Sequence, residues 1–146
     1  MPIYGNPKTM LTQGRQITIN ESSGSKVNTS INFSDLYSSG SVVTKVTPTI
    51  DDSYFRINQN EQHICVSSSL VYTQDWGWTE VSEKLVGKFV LAHYSSKTLW
   101  ESINDITKVT GSFSGSIIET DEDDAIFICQ NSLNEEEPGI LVREKS

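Results

Sequence analysis

GSFSGSIIETDEDDAIFICQ, residues Gly111–Gln130, decides the fold class. Phe113, Gly115 and Ile117 alternate with Ser112, Ser114 and Ser116, the period of a half-buried strand. Glu119–Asp124 then places five carboxylates in six residues. Carboxylates repel one another and hold water, so this corner is expected to be a solvated turn. Ala125–Cys129 is apolar without a break, as a strand covered on both faces would be.

The rest of the chain repeats this pattern of short runs and polar turns. Ser and Thr together make 34 of 146 residues, and no apolar run approaches the roughly 20 residues that span a membrane. Alternating or β-branched segments recur at Arg15–Asn20, Val27–Phe33, Ser41–Ile50, Tyr54–Ile57, Gln62–Thr73, Gly87–Ser95 and Gly139–Arg143. Asp51–Ser53 reads as a turn, and Pro48 as an edge or a bulge. Lys97–Val109 fits a helix capped by Ser95 or Ser96 as well as a strand; its β surroundings favour strand or irregular structure. No linker divides the chain. The expectation is one all-β domain, an antiparallel jelly roll or β-sandwich over 14–146, preceded by an extended arm over 1–13. Ile3, Tyr4, Met10 and Leu11 give that arm apolar groups with which to anchor on a partner.

Charge and composition narrow the function. Lys and Arg number 11 against 19 Asp and Glu, a formal charge of −8. That sign disfavours a nucleic acid partner, and membrane insertion is not expected. Cys65 and Cys129 are too few for a disulfide framework or a zinc site, and buried free thiols are preferred to a bridge between them. His63 and His93 lie within expected strands, without ligands at metal spacing. Gly111–Gly115 has the letters of a nucleophile elbow around Ser112 or Ser114, but within a strand instead of a strand-to-helix turn. Asp121, Glu122, Asp123 and Asp124 lack the spacing of a calcium loop. No enzyme activity, cofactor or metal is expected.

Two further expectations concern surfaces. Strands around Phe89 and Phe127 are apolar on both faces, and a second dry face needs a cover, most simply another copy of the chain. Trp76 and Trp78 are large aromatics in a loop, suited to a sugar ring or a protein partner.

Several segments resemble the tumour-necrosis-factor/C1q superfamily. They are Tyr54-Phe55-Arg56-Ile57, His63-Ile64-Cys65-Val66 leading to Leu70-Val71-Tyr72, Lys88-Phe89-Val90-Leu91, and Gly111–Ile118 followed by the acidic corner and Ala125–Ile128. The resemblance implies a homotrimer with aromatics near its threefold axis, for which Tyr72, Phe89, Tyr94 and Phe127 are the interface candidates. By analogy with that fold it implies a structural virion protein, assembled in a host cytoplasm: a phage capsid decoration, head-fibre or spike protein. Such a protein would contact capsid components and a host-surface glycan or receptor. The alternative is an extracellular receptor ligand or carbohydrate-binding module.

Overall fold

The computed structural model describes residues 2–4, 8–10, 16–28, 40–58, 63–66, 69–94, 97–121, 126–128 and 139–144. Among these the chain is all-β, with two 3-10 turns, Ile19–Glu21 and Glu83–Leu85, and no α-helix. The strands are β1 (Pro2–Tyr4), β2 (Lys8–Met10), β3 (Gln16–Thr18), β4 (Lys26–Asn28), β5 (Gly40–Ile57), β6 (His63–Val66) and β7 (Ser69–Thr73). They continue with β8 (Gly77–Glu80), β9 (Phe89–Tyr94), β10 (Lys97–Ser102), β11 (Ile106–Thr120), β12 (Ile126–Ile128) and β13 (Gly139–Glu144).

Three sheets result. The first has the order β1-β11-β5-β4, with β6 also paired to β5. The second runs β10-β9-β13-β7-β8, with β12 paired to β13, and β2-β3 form a separate hairpin. All the pairings are antiparallel. The segment expected as an arm supplies two strands to this arrangement, β1 against β11 and β2 against β3.

The long ribbon of β5 and β11 spans the first sheet. Asp51–Ser53, expected as a turn, is instead continuous strand. The irregularity falls on the partner, where Thr110 pairs with Ser53 and Phe113 with Asp51. Gly111 and Ser112 thus face Asp52 alone, two residues against one, a β-bulge. Beyond the bulge the register of β11 runs unbroken from Phe113 to Glu119. Ile118 joins the main core while Ile117 is half-buried. The simple alternation from Phe113 to Ile117 assigned these faces the other way.

Two layers of side chains cover the second sheet. Its inner face contributes Val71, Val90, Ala92, Ile126, Ile128, Ile140 and Val142 to a core shared with Ile19, Phe55, Ile57 and Ile118. Its outer face carries Leu91, Phe127 and Leu141, all fully buried beneath half-buried Tyr72, Trp78 and Trp100. Strands β9 and β12 are therefore apolar on both faces, and much of the second face is covered within one chain. Lys97–Val109 contains a strand, β10, then a short link to β11.

Candidate functional site

The first strand lies beside a group of buried hydroxyl residues. In β1, Pro2 pairs with Ile117, Ile3 with Ser116 and Tyr4 with Gly115. Ser116 is buried, 5% exposed, because its side of β11 also carries the core residue Ile118. Its hydroxyl donates to Asn20 Oδ1 at 3.4 Å, a long bond that leaves the hydroxyl weakly held. Asn20 stands in the 3-10 turn, which Ser22 closes by donating its hydroxyl to the carbonyl of Ile19 at 2.6 Å. Thr18 precedes the turn and pairs with Lys8, beside Thr9. The Oγ1 atoms of Thr9 and Thr18 are buried without a hydrogen-bond partner. Buried hydroxyls of this kind are uncommon and costly.

Strand β6 lies against β1. It brings His63, opposite Ile57, and Cys65, opposite Phe55, to the same part of the molecule. The fold thus places a serine, an imidazole residue and a thiol residue on strands around the first strand. Hydroxyl and thiol are the nucleophiles of acyl transfer, and imidazole is its commonest base. Sequence reasoning considered Ser112 and Ser114 and passed over Ser116. The signal was the spacing of Ser116 from Ile118 at period two, which puts both on one face of β11.

The residues expected from sequence are scattered over other places. Trp76 is exposed in the turn between β7 and β8, with Lys88 Nζ 4.4 Å from its ring centroid. Lys88 also bonds Asp75 at 3.1 Å. Trp78 instead packs edge-on against Tyr72, at 5.3 Å, with the Arg143 guanidinium 5.5 Å from its ring. Tyr72 and Phe127 share the outer cluster with Trp78, whereas Phe89 is exposed. Tyr94 ends β9, where it pairs with Lys97. Ile3 and Tyr4 lie in β1 and Met10 in β2; Leu11 and Cys129 fall outside the described residues. Of the acidic corner, Asp121 is described: its carboxylate accepts from the Val42 N–H at 2.8 Å. Among the described residues no three His, Cys, Asp or Glu gather as a metal site.

No protein-family model and no curated protein matches the sequence. Solved structures do match. A bacterial intein-like domain from Clostridium thermocellum has a TM-score of 0.73 at 14% identity, with 99% of each chain covered. The DnaX mini intein from Spirulina platensis has a TM-score of 0.70 at 12% identity, covering 99% of this chain and all of its own. A DnaB intein from Synechocystis sp. PCC 6803 gives 0.69 at 17% identity and 99% coverage of both. At these identities the likeness establishes the fold, which is that of inteins and intein-like domains.

This corrects several expectations. The resemblance to the tumour-necrosis-factor/C1q jelly roll does not hold, because the solved structures matched across nearly the whole chain are inteins. Of the segments behind it, Tyr54–Ile57 is the end of the long β5 and not a strand of its own. The virion roles of capsid decoration, head fibre and spike fall with it, as do the receptor-ligand and carbohydrate-module alternatives. The expectation of no enzyme activity, drawn alongside the jelly-roll reading, no longer stands either, because the matched structures are inteins and intein-like domains.

Proposed function

We propose that the chain is an intein-like self-processing domain that acts on a peptide bond of the polypeptide carrying it. The observation that supports this most is the end-to-end correspondence with intein and intein-like structures. In such a reaction a hydroxyl or thiol attacks the carbonyl carbon of a peptide bond. An ester or thioester forms, and the amide nitrogen leaves as an amine after taking up a proton. Ser116 beside Ile3, with Cys65 and His63 on the neighbouring strand β6, are the residues placed for the nucleophile and base roles. The strand β1 then presents the substrate, because its backbone is fixed by pairing to β11.

The test is a fusion of residues 1–146 between two unrelated folded reporter proteins. It is incubated from neutral to mildly alkaline pH, with and without a small thiol. Intact mass should reveal a shortened or ligated product, and thiol should trap an ester-linked fragment as its thioester. A fusion that stays whole under every condition refutes the proposal.

A further inference from the structure

A cleft of about 440 Å³ opens between the 3-10 turn Glu83–Leu85 and the β5–β11 ribbon, with an adjoining recess of about 330 Å³. Its floor is apolar, formed by the Phe55 ring and Val81. Lys108 pairs with Phe55 across the ribbon, and its ammonium stands 5.9 Å from the ring centroid. Lys84 reaches the same cleft from the turn, whose position is fixed by fully buried Leu85. Neither ammonium has a carboxylate partner among the described residues. Ser82, two residues before Lys84, lines the same cleft. Its oxygen accepts from the Lys84 N–H at 3.3 Å, so its hydroxyl hydrogen remains to be donated. Glu80 and Glu83 rim the opening.

We propose that this cleft binds a small anion with an apolar body, through residues of β5 and β11 other than those assigned to self-processing. In a protein of formal charge −8, two lysines without a carboxylate partner among the described residues line one recess with Phe55. An apolar body would displace water from Phe55 and Val81. Its carboxylate, sulfonate or phosphate head would accept charge-assisted bonds from Lys84 and Lys108 and a bond from Ser82. The rim carboxylate of Glu83 opposes the anion, which predicts a sign: its neutralisation should tighten binding.

Phenylbutyrate is the probe and the uncharged phenylbutanol its control, titrated into the whole chain and followed by amide NMR shifts. Saturable shifts centred on Val81–Leu85 and Lys108 are expected, with phenylbutanol binding about tenfold more weakly. Lys84→Met with Lys108→Met keeps the apolar stems and should weaken phenylbutyrate about tenfold, with phenylbutanol unchanged. Glu83→Gln should tighten it roughly twofold. Both lysines are exposed, and Lys108→Met alone serves should the double variant lose its dispersed spectrum. Shifts that do not saturate, equal affinity for acid and alcohol, or indifference to the lysine substitutions would overturn the site.

Discussion

Asn58 is the one non-glycine residue with positive φ, 60°, among those described. Side chains with a Cβ pay about 1 kcal/mol for this conformation, and asparagine pays least. What holds Asn58 there is a set of three bonds to the link between β10 and β11. Its N–H donates to the Asp105 carbonyl at 2.9 Å, its Nδ2 to the Ser102 carbonyl at 2.9 Å, and its Oδ1 accepts from the Asn104 N–H at 2.7 Å. Asn58 therefore pins the end of β5 to the start of β11. We expect Asn58→Ala to lower unfolding free energy by about 2–4 kcal/mol in urea titration, through backbone strain and two orphaned groups. Asn58→Asp, which keeps the acceptor, should lose less. Equal stability of the alanine variant would refute the clamp. Asn58 is turn chemistry by composition alone. Its partners lie 44 and 46 residues away, and no local pattern encodes them.

At the scale of elements, the β5–β11 ribbon depends on its bulge. Gly111 has φ of 154°, and a Cβ there would stand 2.9 Å from Phe113 Cζ. The ring of Phe113 is engaged edge-on with Tyr54 at 4.6 Å and has little room to retreat. Gly111→Ala should thus cost about 1–3 kcal/mol and disturb the Tyr54–Phe113 contact. The checks are the urea midpoint and the ring-current shifts of Tyr54; an unchanged midpoint would show that the bulge relaxes freely. The strand period of β7 was legible because alternation survives wherever one face is buried. The continuity of β5 was not. Asp51-Asp52-Ser53 is turn chemistry by composition, yet pairing to β11 across the bulge keeps these residues extended. Ser116 was obscured because the apolar set Phe113, Gly115 and Ile117 reads as the inward face, whereas the core takes Ile118 and buries Ser116 at period two from it.

At the scale of the molecule, all-β architecture was legible from hydroxyl and β-branched content. Which strands share a sheet was not, since β1 pairs with β11 more than a hundred residues on. Such pairings follow from the global burial of the core. The two-faced strands carry the remaining consequence. Leu91, Phe127 and Leu141 are covered inside one chain, but Phe89 remains 44% exposed at the start of β9, two residues before Leu91. Self-association, proposed from these strands, then has its natural seat at Phe89. An aromatic there would be buried by a second copy at a gain of roughly 1–2 kcal/mol per ring, enough to weaken association measurably when removed. Light scattering behind a sizing column should give a mass above the 16.3 kDa of one chain. Phe89→Ser should return it to that value without lowering the unfolding midpoint, because the ring contributes little to the chain's own core. A wild-type mass of a single chain at every concentration would show that the outer aromatic layer is complete in the monomer. A raised mass that survives the substitution would place the contact elsewhere than at Phe89.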